Sequence, residues 1–565
     1  MCGILFYLSG TELNEEEVAR LDRLRNRGPD NTNHVHYAND MHAYFSRLAI
    51  IKPGGLNGQV TDWQDISTDT QGLQPLRHPK PTVDWHVLCN GEIFNYKDIA
   101  HQSKIAKQSL RTDIDIMLYL IAKNPAVDEW LPRLNGDFAG VLFNPTTGRV
   151  IIFRDPVGIR PLYIGYSESG DLLACGSLKS SVSVINGVMR ICEFPPGHYM
   201  DFSVVDNDCS VVEPVKYIML ESSSLRGDTL ITNYEVCKQG IYIHLQAAIR
   251  QRLLHSDVPV GFLCSGGLDS SIILTLGHQI WTNELNQPSE RLEVFSIEYT
   301  GDGQSSDAFY ARMLTAKLGV KHTVFQFSKE DITANLDDII RTVETDDHRS
   351  LRAAIPQYFL AKQIRETTPI RVIFSGEGAD ELFLGYNYLN LCPGPREAVA
   401  ESHRLVRNIH RYDVLRADRT ISNWGLEIRV PFLDSWFIRF VNSIDGQLRN
   451  TGSEKQLLRD AFREYEVLAE VRILDRMKEK FSDGCGLGYV PALMRIIAAK
   501  QGVDDTQSAH LLEKYERDYV RARASELFPD MEIESNAEFR ELPEWAESKN
   551  RQMKQNQNES GMLLG

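Results

Sequence analysis

The sequence has no apolar run long enough to cross a membrane. A spanning helix takes about 18 or more consecutive apolar residues, and no stretch of this chain reaches that length. The first residues, which include the polar segment 11–17, also lack the charged and apolar zones of a secretory signal peptide. We therefore expect a cytoplasmic protein without a membrane partner.

Paired cysteines and an excess of basic charge are missing as well. The nine cysteines are scattered and contain no CxxC pair, which argues against a disulfide framework or a zinc site and favours a reducing compartment. The formal net charge is -16, whereas a nucleic-acid or anionic-membrane surface requires a basic footprint. We expect small-molecule partners and no nucleic acid, and the sequence leaves a homodimer open.

Length and element pattern together indicate two domains of the α/β class. A single core stops growing at about 250–300 residues, and this chain has 565. The first part predicts short strands between turns, at 44–51, 85–89, 138–143, 150–153 and 172–175. The second predicts a helix at 235–254 and then strands alternating with helices, with strands at 258–264, 292–297 and 371–374. We place the domains at 1–205 and 233–525, the linker at 206–232 and a charged, flexible tail at 526–565.

A cysteine directly follows the initiator methionine. If Met1 is removed, Cys2 carries both a thiol and the α-amino group of the chain. That amino group titrates near pH ~7.7–8.0 and can take the thiol proton, so one residue can supply nucleophile and base, as amino-terminal threonine nucleophiles do. An incidental or buried cysteine is the alternative, and the neighbouring motifs decide between the two.

Other residues of the first domain fit an acyl-transfer site. Asn90 and Gly91 follow a predicted strand and form either a hairpin turn or two donors for an oxyanion, a side-chain amide beside a backbone N–H. Arg47, which is otherwise a surface cation, can join Glu92 and Asp113 to clamp the carboxylate and ammonium ends of a free amino acid.

The strings around these residues closely resemble the class II glutamine amidotransferase domain. Members begin with a catalytic cysteine and carry an RGPD motif, here at 27–30, and an NGE motif, here at 90–92. The resemblance implies an αββα fold of the N-terminal nucleophile type, in which Cys2 attacks the side-chain amide of glutamine and the NGE asparagine and glycine form the oxyanion hole. It implies a glutamine-binding set of Arg47, Leu48, Ile51, Asn90, Gly91, Glu92 and Asp113. The segment 54–72 is longer than the family usually shows and is placed to reshape the rim of the glutamine pocket.

Two loops with glycines and acids follow strands of the second domain. The string SGGLDSS at 265–271 stands between a strand and a helical run, so it is either a plain glycine turn or a phosphate cradle at a helix start. The string SGEGADE at 375–381 follows strand 371–374, at the edge where open α/β sheets bind ligands. Its carboxylates are either solvated loop charge or, beside a phosphate site, ligands for Mg²⁺, which binds carboxylates and phosphate oxygens.

The two loops are followed by the string GLEIRVPFLD at 425–434 and preceded by a domain that resembles a glutaminase. In this order, the motifs closely resemble the family of glutamine-hydrolysing asparagine synthetases. The resemblance covers residues 1 to about 484 and implies a doubly wound parallel-sheet ATP pyrophosphatase domain. It implies ATP as a substrate held by Leu263, Ser265, Gly266, Gly267, Asp269, Ser270, Ser271, Ile297, Ser375 and Gly376. It implies Mg²⁺ held by Asp269 and Asp380. Of the remaining site residues, it makes Glu377 the acid of the acyl-adenylate step, Lys478 a stabiliser of phosphate charge and Arg352 a contact of the acid substrate.

The resemblance implies that aspartate is amidated through β-aspartyl-AMP with ammonia from glutamine. One departure concerns the acid, because the family usually has two threonines shortly before the arginine that matches Arg352, and this chain reads Asp347-His348-Arg349-Ser350 there. An arginine adds charge and bulk near the substrate, so an amide ligase for another carboxylic acid is one alternative. A degenerate relative that binds or regulates is a second, and a chain that keeps Met1 and depends on free ammonia is a third.

Overall fold

The structure is a computed structural model. It describes residues 1–51, 72–106, 109–204, 212–221, 230–301, 305–450, 453–476, 484–486, 488–504, 506–529, 531–536 and 542–547. Lys478, most of the segment 54–72 and parts of the predicted linker lie outside the described residues. Among the helices of the described part, none combines the length and the apolar character that crossing a membrane takes.

The first domain contains two antiparallel sheets. Its strands are β1 (Gly3–Leu8), β2 (Asn31–His36), β3 (Met41–Arg47), β4 (Leu76–Arg77), β5 (His86–Ile93), β6 (Gly136–Asn144), β7 (Arg149–Arg154), β8 (Tyr163–Tyr166), β9 (Leu172–Gly176), β10 (Arg190–Glu193), β11 (His198–Ser203) and β12 (Val215–Lys216). One sheet runs in the order β10-β8-β9-β1-β3-β2, and the other runs β12-β11-β7-β6-β5-β4. The short strand β12 lies inside the predicted linker and extends the second sheet.

These sheets stack face to face, and helices cover their outer sides. The helices are α1 (Glu15–Ala19), α2 (Asp22–Arg27), α3 (Tyr96–Gln102), α4 (Asp115–Lys123), α5 (Val127–Trp130) and α6 (Lys179–Val182). Between the sheets, Ile4 and Phe45 of the first pack with Leu88 and Val141 of the second. Helices α2 and α6 pack on the first sheet and α4 packs on the second. The layers therefore confirm the predicted αββα fold.

The second domain is built on a five-stranded parallel sheet. Its strands are β13 (Val260–Leu263), β14 (Glu293–Tyr299), β15 (Lys321–Phe327), β16 (Val372–Phe374) and β17 (Glu427–Arg429). The order β15-β14-β13-β16-β17 reverses its winding direction between β13 and β16. Such a switch point opens a crevice at the carboxyl ends of the two strands, and the loops SGGLDSS and SGEGADE follow these same two strands.

Helices cover both faces of this sheet. They are α7 (Tyr234–Leu254), α8 (Leu268–Asn283), α9 (Ser306–Leu318), α10 (Lys329–Val343), α11 (His348–Thr367), α12 (Ala379–Leu382), α13 (Pro395–Asn408), α14 (Asp413–Ser422), α15 (Ser435–Asn442), α16 (Gly446–Arg449), α17 (Gln456–Ala461), α18 (Glu466–Glu470), α19 (Tyr489–Lys500) and α20 (Ala509–Glu526). Helices α8 and α9 pack on the strands, as do α11 and α14. Because crossovers are right-handed and the winding direction reverses, α8 and α9 lie on one face of the sheet, and α11 and α14 lie on the other. The doubly wound prediction is confirmed.

Part of the predicted tail packs against the body of the protein. The strand β18 (Glu532–Ile533) pairs in parallel with β10 of the first domain. The Asn536 side chain donates to the carbonyl of Arg411 in the second domain at 3.0 Å. Residues 531–536 therefore contact both domains, which corrects the expectation of a flexible tail for this stretch. Residues 548–565 lie outside the described part.

A buried ion pair and a buried hydrogen bond to a carboxylate join the two domains. Arg252 of α7 approaches Asp137 of β6 at 3.1 Å, and the Lys179 backbone N–H donates to the Glu344 carboxylate at 3.0 Å. All four residues are buried. Removing one partner of such a pair leaves an uncompensated charge in a low dielectric, so the charges specify how the domains dock.

Candidate active sites

The Cys2 thiol lies at the start of β1, next to the end of β3. The pairing of Gly3 with Ser46 brings the thiol to the segment after β3, and its Sγ donates to the Leu48 carbonyl at 3.8 Å. Burial raises the pKa of the Cys2 thiol, while the neighbouring amino group and the Leu48 contact oppose that rise, and Glu92 and Arg47 also act on it. The structure thus brings together residues that are 46 and 90 positions apart in the sequence.

Asn90 lies inside β5 with its side-chain amide buried. It is 0% exposed, and within the part of the chain that the structure describes neither Nδ2 nor Oδ1 has a hydrogen-bond partner. Cys2 interacts electrostatically with Cys89 and Glu92, which flank the Asn90–Gly91 pair. A buried donor without a partner is costly, and a donor beside the nucleophile fits a site for an oxyanion.

Gly91 has a backbone that a side chain would disrupt. Its φ is +149°, and a Cβ there would lie 2.2 Å from the Asp137 carbonyl of the adjacent strand β6. β5 pairs with β6 straight through this position. The hairpin-turn alternative for Asn90–Gly91 is therefore wrong, because both residues are inside a strand.

The remaining glutamine-site candidates are buried around the same place. Arg47, Leu48 and Ile51 follow one another at the end of β3, and Glu92 and Asp113 are buried as well. The Asp113 carboxylate accepts the backbone N–H of Ile93 at 2.6 Å.

A histidine that the sequence analysis did not single out lies against these acids. His255 Nε2 is 2.9 Å from Glu92 Oε2 and 3.6 Å from Asp113 Oδ2. It belongs to the second domain, directly after α7.

The second-domain candidates line one cavity of about 750 Å³. The predicted residues along its wall are Leu263, Ser265, Gly267, Asp269, Ser270, Ile297, Arg352, Ser375, Gly376, Glu377 and Asp380. Gly266 turns the first loop with a φ of +69°, and Ser271 is buried behind that loop. A cavity of this size at the switch point accommodates a nucleotide-sized ligand.

Lys455 joins the two carboxylates that were predicted to hold Mg²⁺. Its Nζ is 2.6 Å from Asp269 Oδ2 and 2.5 Å from Asp380 Oδ1. Burial alone lowers the pKa of Lys455, but the two carboxylates outweigh burial and raise it. The convergence of both acids on one cationic nitrogen shows that the geometry fits a cation between them, and oxygen donors are those that Mg²⁺ prefers.

Glu377 faces the cavity and is paired with an arginine of α14. Arg416 Nη2 donates to Glu377 Oε2 at 3.1 Å, and Arg416 Nε donates to Asp413 at 3.1 Å. Burial raises the pKa of Glu377 against the opposing effect of Arg416. Glu377 is thus an acid whose proton affinity exceeds that of an exposed carboxylate, as proton transfer near neutral pH requires.

Arg352 lines the cavity but also binds the last helix. Its Nε donates to Glu516 Oε1 at 2.9 Å, and its Nη2 lies 3.5 Å from Glu513. Both acids belong to α20, which has no recognisable motif. Arg349 is exposed on the same wall of the cavity.

Sequence reasoning missed His255, Lys455, Arg416 and Glu516. Each is an ordinary charged or titratable residue in a helical or loop segment, and each meets its partner only through folding. Lys455 is 186 positions from Asp269, and no local spacing marks such a pair. Lys478, the predicted phosphate contact, lies outside the described residues.

Comparison with known proteins gives a consistent family. The asparagine synthase model matches residues 240–398 and 390–546, and the glutamine amidotransferase domain model matches residues 1–227. The chain is 33% identical over 534 residues to proteins named asparagine synthetase [glutamine-hydrolyzing] from Pongo abelii and Homo sapiens, covering 91% of this chain and 90% of each relative. It is 32% identical over 544 residues to the Gallus gallus protein of that name, covering 93% of this chain and 92% of the relative. With both site geometries and both domain models in agreement, the chain belongs to the family of glutamine-hydrolysing asparagine synthetases.

Proposed function

We propose that this protein is an asparagine synthetase that hydrolyses glutamine at Cys2 and uses the ammonia to amidate ATP-activated aspartate. The observation that carries the proposal is the Asn90 amide, buried in the described structure without a hydrogen-bond partner and flanked by residues that interact with Cys2. A buried amide without a partner beside Cys2 can donate to the oxyanion that forms during acyl transfer. In a regulatory protein without catalysis, the same unpaired amide would cost stability with no compensating function.

In the first reaction, the Cys2 sulfur bonds to the carboxamide carbon of glutamine. The Asn90 Nδ2 and the Gly91 N–H would donate to the oxyanion, Arg47 would hold the substrate carboxylate, and Glu92 with Asp113 would hold the α-ammonium. The carbon–nitrogen bond then breaks, and the nitrogen leaves as ammonia with the proton that the thiol gave up. Water hydrolyses the γ-glutamyl thioester, which releases glutamate and restores the thiol.

In the second reaction, a side-chain carboxylate oxygen of aspartate bonds to the α-phosphorus of ATP, and pyrophosphate leaves. The SGGLDSS loop at the amino end of α8 would hold that pyrophosphate, since N–H groups at a helix start favour anions. Ammonia then attacks the acyl carbon of β-aspartyl-AMP, AMP leaves, and Glu377 is placed to take the proton that the new amide sheds. Mg²⁺ held by Asp269 and Asp380 would neutralise phosphate charge.

The location and the acid specificity are part of the same proposal. The cysteines in the described residues are all free thiols, which supports a cytoplasmic protein. Arg349, exposed on the cavity wall, favours one second candidate, an amide ligase whose acid carries an additional negative charge or is longer than aspartate.

Pyrophosphate release tests the proposal. The purified protein is given ATP, Mg²⁺ and ammonia with aspartate or with each member of a panel of carboxylic acids. We expect aspartate to give the highest rate, and asparagine to form with glutamine as nitrogen source. A stronger response to another acid selects the second candidate, and no response to any acid contradicts both.

A further inference from the structure

Glu92 and Asp113, the acids proposed to hold the α-ammonium of glutamine, also contact a side chain of the second domain. His255 is 3% exposed, and its Nε2 contacts Glu92 Oε2 at 2.9 Å and Asp113 Oδ2 at 3.6 Å. Its ring stands edge-on to Phe94 and Tyr96, with centroids 5.4 Å and 5.5 Å away. These two rings and the two carboxylates restrict the imidazole to one orientation.

The backbone around His255 is held equally firmly by both domains. Arg429 of β17 donates to the His255 carbonyl at 2.7 Å. Two residues later, the Asp257 N–H donates to the carbonyl of Ile50 in the first domain at 3.1 Å. The backbone at His255 is therefore hydrogen-bonded both to the sheet next to the proposed nucleotide site and to the segment next to the proposed glutamine site.

The charges of the two buried carboxylates indicate the role of His255. Two buried carboxylates side by side repel each other, so one of them tends to take up a proton. Burial and Asp113 raise the pKa of Glu92 to about 8, and His255 opposes that rise. When both carboxylates are ionised, a protonated imidazole leaves the three side chains with one net negative charge. One substrate ammonium then completes a neutral buried cluster, which costs less than an unbalanced one.

The His255 imidazole is itself biased toward the charged form. Burial lowers the pKa of His255, but Asp113 and Glu92 outweigh burial and raise it to about 8. Among the described residues, other charged or titratable groups around this cluster are Tyr96 of α3, Arg252 of α7, Asp257, and Glu427 and Arg429 of β17. Arg429 meets the backbone carbonyl of His255 and not its ring, so the two carboxylates dominate.

We propose that His255 is a positioning residue of the glutamine site, contributed by the synthetase domain, which aligns Glu92 and Asp113 for the substrate's α-ammonium and favours the charged form of Glu92. The glutaminase site is therefore complete only when the two domains are docked. This inference rests on the proposed glutaminase function, and it adds a residue and a dependence between domains that the function alone does not require.

The test compares His255→Gln with wild type and with His410→Gln. His410 is a matched control, because it is also buried and also lies near a carboxylate across the domain interface, with Nε2 3.4 Å from Glu193. We expect His255→Gln to raise the KM for glutamine at least about tenfold, which corresponds to about 1.4 kcal/mol of lost binding free energy. Its kcat at saturating glutamine and its ammonia-dependent synthesis stay within about twofold of wild type, and His410→Gln leaves the KM for glutamine unchanged.

The pH dependence separates positioning from a merely structural role. The pKa of Glu92 is about 8 with His255 in place, and removing the opposing effect of His255 raises that pKa further. The ratio of KM for His255→Gln to KM for wild type is therefore largest below pH 8 and shrinks above it. Because both enzymes are assayed with the same substrate, the titration of the glutamine α-ammonium cancels in this ratio.

Three results overturn the inference or its basis. A His255→Gln enzyme with an unchanged or lower KM for glutamine, or a ratio that is flat with pH, contradicts the positioning role. If that variant does not fold, His255→Asn replaces it in the same comparison, with the same expected results. A wild-type enzyme that hydrolyses no glutamine overturns the proposed function first, which distinguishes the two failures.

Discussion

Arg27 binds Asp418 through two nitrogens across the domain interface, at 2.6 Å from Nη1 to Oδ2 and 3.1 Å from Nη2 to Oδ1. Both side chains are buried. The third nitrogen, Nε, donates to the Cys2 carbonyl at 3.0 Å. The arginine of the RGPD motif therefore connects the residue that carries the nucleophile to α14 of the synthetase domain.

Asp418→Asn is expected to destabilise the protein. The change leaves the Arg27 charge buried without its bidentate partner, which costs about 3–5 kcal/mol in the free energy of unfolding. Denaturant titration measures that loss. Asp22→Asn is the control, because Asp22 forms an exposed pair with Arg25 on α2, and such pairs contribute about 1 kcal/mol or less. Equal losses in the two variants would contradict the role assigned to the buried pair.

We expect that glutamine serves as the nitrogen source only after Met1 has been removed. Met1 is buried, with its amino group 3.4 Å from the Leu426 carbonyl and its Sδ 2.5 Å from Arg160 Nη1. While Met1 is attached, Cys2 has an amide nitrogen and no amino group to act as base. Intact-mass measurement of the mature protein is expected to show Cys2 as the first residue.

Cys2→Ala is expected to abolish glutamine-dependent synthesis and keep ammonia-dependent synthesis. The substitution removes the sulfur and leaves untouched the cavity of the second domain, whose described lining includes no residue of the first domain. Asparagine formation with each nitrogen source measures both activities. Loss of both would show that the two sites do not work independently.

Asn90→Ala is expected to lower the kcat of glutamine hydrolysis about 10²–10³-fold, the effect of removing one oxyanion donor. Asn95→Ala is the matched control in the same domain. Asn95 is also buried, but its amide is paired with the Arg133 carbonyl at 2.8 Å and the Asn135 N–H at 2.9 Å. That change is expected to lower stability and leave kcat near wild type. Similar kcat values for both variants would argue against the oxyanion role.

Asp380→Asn is expected to stop ATP-dependent pyrophosphate release and leave glutamine hydrolysis intact. The change removes one of the two carboxylates that converge on Lys455 and with it a ligand for Mg²⁺. It is the converse of Cys2→Ala, so the two variants together separate the half-reactions. Pyrophosphate release at wild-type rate would exclude Asp380 from the metal site.

Lys455→Met is expected to make the thermal midpoint depend on Mg²⁺ more strongly than in wild type. Without the ammonium, Asp269 and Asp380 repel each other until a cation binds between them. Thermal unfolding with and without Mg²⁺ measures the difference between the two midpoints. A variant whose midpoint responds to Mg²⁺ no more than wild type would show that the two acids do not bind the metal.

Strand prediction succeeded where apolar runs stand between clear turns. β13 and β16 are short, apolar and followed by glycine loops, so the sequence located both ends of the switch point. β2 and β15 were missed, because their mixed polar sequences NTNHVH and KHTVFQF carry a weak alternation that pairing with a neighbouring strand stabilises. β17 was missed because two of its three residues, in the sequence EIR, are charged, whereas β16 is the wholly apolar VIF.

The sequence by itself determined the family, the two reactions and the glycine loops that line the cavity, since a cysteine next to a chain end or a glycine loop after a strand is a local pattern. Only the tertiary structure decided which charges meet. His255 reaches Glu92, Lys455 reaches Asp269 and Glu516 reaches Arg352 across more than 160 positions each. Such pairs have no period or spacing in the chain, because burial in a common low-dielectric interior is what makes each charge require its partner.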